Sequence, residues 1–188
     1  RMSSVKTAFP VDILSDKATF EIQYGATERP THTNTSWEQA RFESCGQKWI
    51  DFSEGHYGVS VLNDCKYGYY VREGVLDLAL LRSPKYPDRY ADQGEQIFTY
   101  SFLPHKHALP NSDVMREAAN LNRQLLVADG YEAGIAKMPF RLEANHIVMD
   151  VVKRGEKDDS LIIRLIETPV SRLILQGEYP ENSTLLID

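Results

Sequence analysis

Period-two alternation is the feature that most limits what this chain can fold into. In KATFEIQYG, residues 17–25, Ala18, Phe20, Ile22 and Tyr24 fall on one face, with Thr19, Glu21 and Gln23 on the other. That is the pattern of a half-buried strand. VKTAFPVDIL sets Thr7, Phe9, Val11 and Ile13 to one side, and Pro10 marks an edge or a bulge. GVLDLALLRS is apolar on both faces, as a strand between two packed layers would be. EQIFTYSFLPH alternates Phe98, Tyr100 and Phe102 against Ile97, Thr99 and Ser101. HIVMDVVKR and SLIIRLIET, joined by the polar GEKDD, predict a hairpin, and VSRLILQG and STLLID predict further strands. The spacing predicts one helix, in NSDVMREAANLN, with Ser112 as cap, Asp113 in the first turn, and Val114, Met115, Ala118 and Leu121 on one side. Many short strands and one brief helix predict an all-β sandwich.

Composition narrows the function. The 188 residues are 42% hydrophobic and 26% charged, with net charge −6 and no basic patch, which argues against nucleic acid as a partner. No apolar run approaches the roughly 20 residues of a membrane helix, and RMSSVKTAFP lacks the apolar core of a signal peptide. Cys45 and Cys65 admit a disulfide, but two free thiols in a reducing compartment is the preferred reading. The acceptor triplets at Asn34 and Asn182 carry little weight alone. The apolar ending STLLID, where domains more often end in polar residues, reads as the mark of an excised fragment.

Three segments then converge: GATERPTHTNTSWEQARFE, YGVSVLNDCKYGY and LLRSPKYPDRYADQGEQIFTYSFLPH. They resemble the C-terminal β-domain of glycoside hydrolase family 38, the α-mannosidases, in the cytosolic and vacuolar branch. The resemblance is dense over about residues 5 to 107. It is carried by Val61-Leu62-Asn63-Asp64-Cys65-Lys66-Tyr67-Gly68 and Leu80-Leu81-Arg82-Ser83-Pro84. RLIETPVSRLILQG is shorter and more apolar than the family's Gly-rich segment there.

The resemblance implies a large antiparallel supersandwich of the galactose-mutarotase-like kind, forming a single domain over 1–188 of a cytoplasmic enzyme. It further implies zinc in the parent enzyme and retention through two carboxyl groups about 5 Å apart. Nucleophile and metal ligands belong to a catalytic domain N-terminal to this region. No catalytic or metal-binding residue is therefore expected in this chain, and the chain is expected to be inactive alone. Its expected partners are its own catalytic domain and mannosides or oligosaccharides, with a homo-oligomer as a further option and no membrane contact.

Arg82, at the end of an apolar strand, is the first substrate-proximal candidate, with Arg89 as rival and a surface ion pair as the plain alternative. Asn63, Asp64 and Tyr67 form a second cluster, for which a tight turn is the favoured explanation. Asp92 or Glu95 could pair with Arg82 and hold its loop. The unpatterned stretch 28–43 offers His32 and Trp37 to a sugar. A polar network at the interface with the catalytic domain is favoured there, with Glu28, Arg29, Arg41 and Glu43 pairing among themselves. His105 and His107 are too few for zinc and read as a surface loop. Glu143 and Asp150 read as isolated acids, and Arg164 as a structural arginine paired with Glu167 or an acid on a neighbouring strand. Two rival readings are a carbohydrate-binding module using Tyr67, Tyr69 and Tyr70, and an assembly domain.

Overall fold

The structure, a computed structural model, describes residues 4–123 and 147–167, with 127, 129 and 130 between them. Contacts divide the chain into two compact units, Arg1–Gln124 and Leu125–Asp188, where the sequence reading has one domain over 1–188. The first unit holds strands β1 (Val5–Pro10), β2 (Lys17–Ile22), β3 (Gly25–Pro30), β4 (Ser44–Cys45), β5 (Trp49–Glu54), β6 (Tyr57–Asn63), β7 (Gly68–Arg72), β8 (Val75–Leu81) and β9 (Tyr100–Lys106). It also holds helices α1 (Ser36–Ala40) and α2 (Val114–Asn122). One sheet runs β1-β8-β7-β4 and the other β3-β2-β5-β6-β9, and every strand pairing is antiparallel.

The all-β sandwich follows from the inner faces. Phe20, Ile50, Phe52, Val59 and Val61 of the five-stranded sheet meet Tyr69, Val71, Leu76 and Leu78 of the four-stranded one. Burying each such side chain stabilises by about 1.5–3 kcal/mol. The alternation of β2 places Ala18 and Phe20 inside as expected. It stops before Tyr24, which takes a positive φ in the turn to β3 and is 78% exposed. β1 is an edge strand and ends at its proline, as read.

The outer face of the five-stranded sheet is covered too. Trp49 and Leu62 pack with Val114 and Ala118 of α2, and Leu103, Met115 and Leu121 join them. The helical stripe is the expected one, but α2 starts at Val114, and Asp113 makes no side-chain cap. The Ser112 hydroxyl accepts from Val114 N–H at 3.4 Å at the start of α2, and it donates to the Leu109 carbonyl at 2.8 Å, closing a short 3-10 turn, Leu109–Asn111, ahead of the helix. The expected single helix is joined by a second one, α1, in the stretch read as unpatterned.

His105 also departs from its reading as a loop residue. It lies in β9 with 6% of its side chain exposed. Its Nε2 is 2.7 Å from Asp51 Oδ1, and its Nδ1 is 3.2 Å from the His107 carbonyl. Asp51 is 1% exposed and also accepts from the Ser60 hydroxyl at 2.7 Å and the Ser53 hydroxyl at 2.8 Å. A carbonyl can only accept, so Nδ1 carries a proton, and Nε2 faces a carboxylate; both nitrogens donate in the cationic form. The imidazole fits because residue 58 is glycine: a Cβ there would stand 2.5 Å from Ser53 Cβ and 2.6 Å from His105 Cε1.

In the second unit, β10 (Ile147–Arg154) and β11 (Leu161–Glu167) form the expected antiparallel hairpin. Gly155 N–H donates to the Ser160 carbonyl at 2.7 Å across the turn. Arg164 stands 3.9 Å from Asp150, so Asp150 is not isolated and Arg164 has the neighbouring-strand partner expected of it. Glu143, VSRLILQG and STLLID lie outside the described residues. Among the described residues no helix is long and apolar enough to cross a membrane.

Burial opposes the charge on His105, but its bonds to Asp51 and to backbone carbonyls outweigh that, and its pKa is raised from 6.5. The pair's contribution is therefore full below the unfolded value and is lost as pH rises through the raised folded value. Urea midpoints should fall as pH increases above about 6.5, and His105→Gln should remove most of that slope. His105→Ala, which strands a buried carboxylate, should cost about 3 kcal/mol.

Candidate functional site at the closed edge of the sandwich

The polar stretch 28–43 crosses from one sheet to the other, where the sandwich would otherwise lie open. It is not a loop throughout. Glu28, Arg29 and Pro30 complete β3, and Thr35 opens α1 with a capping box. The Thr35 hydroxyl accepts from Glu38 N–H, while the Glu38 carboxylate accepts from Thr35 N–H at 2.8 Å. Those bonds hold the Glu38 carboxyl below the usual range, the Thr35 amide first among the causes.

Two arginines fasten the crossing. Arg29 pairs in register with buried Ala18 and so faces inward. Its guanidinium lies 4.5 Å from the Phe20 ring centroid and donates to the Cys45 carbonyl of β4 at 2.5 Å. It thus bridges the edges of the two sheets. Burial lowers its pKa, and the neighbouring Arg41 charge adds to the effect. Arg72 of β7 donates from Nη2 to the Glu38 carbonyl and, at 2.7 Å, to the Arg41 carbonyl. These carbonyls end α1, which has no basic residue in its own last turn, so Arg72 supplies from another strand the cation that a helix C-terminus favours.

The predicted pairing among Glu28, Arg29, Arg41 and Glu43 does not form. Glu28 binds Lys17 at 2.7 Å, across the β2–β3 pair. Glu43 binds Lys6 at 2.5 Å and stands 3.7 Å from Arg82. The acids find cations on neighbouring strands, and the arginines find backbone carbonyls. His32 Nδ1 is 3.2 Å from Glu38 but off the line of a hydrogen bond, and Trp37 projects outward, 77% exposed. Between these groups lies a cavity of about 230 Å³ walled by Arg29, Arg41, Arg72, Glu43 and Cys45.

Asn63 closes β6 as a buried hub. Its amide donates to the Gln47 carbonyl at 3.1 Å and to the Tyr69 hydroxyl, and its Oδ1 accepts from Cys65 N–H at 2.9 Å and Lys66 N–H at 2.5 Å. This is the expected tight turn, built by an Asn side chain. Burial pushes the Tyr69 phenol well above its ordinary pKa. Asp64 is exposed and accepts from Thr99 N–H at 3.0 Å. Burial pushes its carboxyl up, but bonds from the Cys65 thiol and Thr99 outweigh that and leave it below the usual range. Tyr67 is 58% exposed, and Tyr69 is fully buried, so the three tyrosines form no common platform.

Arg82 ends β8 with 77% of its side chain exposed. Asp92 does hold its loop, through backbone amides: the carboxylate accepts from Arg82 N–H at 2.9 Å and Ser83 N–H at 2.7 Å. The Ser83 and Arg82 amides keep the Asp92 carboxyl low. The same loop returns past Phe98, which lies 4.8 Å from Lys66, so it joins Arg82 to the Asn63–Tyr67 turn. Glu43 in turn joins Arg82 to the 28–43 crossing.

The sequence reading passed over Arg72 and the Asp51–His105 pair. Asp51 leaves a trace, as a carboxylate inside WIDFSE; Arg72 leaves none. Among the described residues no group of three or more His, Cys, Asp or Glu could hold a metal ion, so zinc finds no ligand set among them.

Residues 1–90 match the glycosyl hydrolases family 38 C-terminal domain. The chain is 42% identical over 191 aligned residues to human Alpha-mannosidase 2C1, covering 98% of this chain and 18% of that protein. It is 39% identical over 172 residues to Alpha-mannosidase of Saccharomyces cerevisiae, covering 86% of this chain and 15% of that one. The chain thus spans less than a fifth of the length of these relatives. Its fold resembles the crystal structure of an alpha-mannosidase from Enterococcus faecalis V583, with a TM-score of 0.71 at 19% identity over 86% of this chain and 20% of that one. Residues 1–90 of the chain belong to the C-terminal domain of glycosyl hydrolase family 38.

Proposed function

We propose that this chain is the C-terminal β-domain of a zinc-dependent, retaining α-mannosidase that cleaves terminal α-mannosides. It braces the catalytic part of that enzyme and does not turn over substrate by itself. The observation that carries this reading is 42% identity to human Alpha-mannosidase 2C1 across 98% of the chain. Cytoplasmic placement belongs to the same proposal and is supported by the free thiols of Cys45 and Cys65.

Retention requires two carboxyl groups about 5 Å apart, one attacking and one donating a proton. The acids described at the site have other work. Glu43 holds Lys6, Asp92 and Asp64 hold backbone amides, and Asp51 is buried with His105. This supports placing nucleophile and acid outside the chain. What the chain offers a neighbouring cleft is positioned donors. Arg82 is the residue proposed to reach the sugar: its backbone is pinned by Asp92 while its guanidinium stays exposed, 3.7 Å from Glu43. Arg89, further along the same loop, is the rival. Asp64 and Tyr67 stand as secondary candidates, and the Asn63 amide is already engaged within the fold. The carbohydrate-module reading loses its platform with Tyr69 in the core.

In the intact enzyme, Arg82→Ala should lower kcat/KM by about tenfold or more while shifting stability by no more than about 0.5 kcal/mol. Unchanged activity at unchanged stability would strike Arg82 from the site. The purified 188-residue chain should release no mannose from an aryl α-mannoside and give no calorimetric heat with mannobiose; either signal would contradict an accessory role.

A further inference from the structure

We propose that the cavity walled by Arg29, Arg41 and Arg72 is a docking pocket for a carboxylate side chain, an Asp or Glu on another polypeptide segment whose neighbouring apolar residues lie over Trp37 and Phe42. The proposal rests on reading this chain as a bracing domain and gives that contact its chemistry.

The charge balance comes first. Three arginines line one cavity of about 230 Å³. The two carboxylates beside them are engaged: Glu38 in its capping box next to His32, Glu43 with Lys6 and Arg82. The cavity is therefore left cationic. Donors remain to be used. Arg72 spends Nη2 on the α1 carbonyls and keeps Nη1 and Nε. The Arg41 guanidinium makes no hydrogen bond or ion pair among the described residues. Arg29 is partly desolvated and feels the Arg41 charge, a repulsion that an anion between them would relieve. A carboxylate suits that need, since each of its oxygens can accept from the fork of a guanidinium.

The rim selects the source of the carboxylate. Trp37 is 77% and Phe42 60% exposed, both next in sequence to lining residues. Large exposed rings beside arginines are the composition of binding hot spots between proteins. A free inorganic anion gains nothing from such rings. A neutral mannoside gains nothing from the excess positive charge. The cavity is also smaller than the roughly 300–1,000 Å³ typical of small-molecule sites, while an acidic side chain fits within it.

The 188-residue chain is titrated with the capped tripeptide acetyl-Leu-Glu-Leu-amide while the arginine Nε–H and Trp37 indole resonances are followed by NMR. Parallel titrations use the Gln analogue, sodium acetate, sodium sulfate and methyl α-mannoside. The acidic peptide should shift the Arg29, Arg41 and Trp37 signals saturably, and the Gln analogue should not. Acetate should require about tenfold higher concentration and leave Trp37 unmoved. Arg41→Glu, at an exposed side chain, should abolish the response with the rest of the spectrum intact. Trp37→Ala should weaken it about tenfold. No saturable shift with the acidic peptide, or an equal shift with its Gln analogue, overturns the proposal. So does sulfate or acetate matching the peptide, which makes this a free-anion pocket, or displacement of the peptide by methyl α-mannoside, which makes it a sugar site. Peptide binding by a chain that also hydrolyses an aryl mannoside would instead overturn the proposed function and leave the pocket standing.

Discussion

Two apolar sheet faces pressed together hold this molecule, and they also create its main geometric problem. Phe20, Ile50, Phe52, Val59 and Val61 gain stability only while Tyr69, Val71, Leu76 and Leu78 stay opposite them. A sandwich of two open sheets leaves a gap wherever its margins are not joined. Between β3 and β4 the gap is closed by a guanidinium rather than by a packed side chain. Arg29 lies against Phe20 at the border of the core and bonds the far sheet's backbone. The segment that crosses there cannot use a β-ladder, so its backbone groups are satisfied by Thr35, Glu38 and Arg72. The polar richness of residues 28–43 is what closing that margin requires.

Elements facing the core on one side only were legible from alternation, as β2 and β1 show, and the β10–β11 hairpin was legible from the polar GEKDD between its strands. β5 and β6 were harder. Both of their faces are covered, so Trp49 and Leu62 turn toward α2 while Ile50 and Val61 turn toward the other sheet, and the period-two signal cancels. α1 was hidden by its length. Five residues with no buried side chain carry no apolar stripe, although Thr35 and Glu38 have the spacing of a capping box. Ser112, read as the cap, accepts from the first amide of α2 and also donates one turn back.

At the site, residue types were easier to read than partners. Asn63 was legible as a turn former because its side chain acts within three residues of itself. Asp92 was legible as the holder of the Arg82 loop, but not that it would hold amides. The ion pairs of Glu28 and Glu43 were misassigned because strand register brings Lys17, Lys6 and Arg82 closer than the arginines adjacent in sequence. Arg72 could not be read at all. It acts on carbonyls 31 and 34 positions away, which carry no side-chain signature. Such contacts exist only once the topology exists.

The margins of the two sheets have one more consequence. In spatial order they are β1 and β4 in one sheet and β3 and β9 in the other. β1 ends in Pro10, β3 ends in Pro30, β9 contains Pro104, and β4 is two residues long. Proline has no N–H to offer an incoming strand, and a two-residue strand is too short a template. Each outer strand of this sandwich thereby offers a poor template for stacking one copy onto the next.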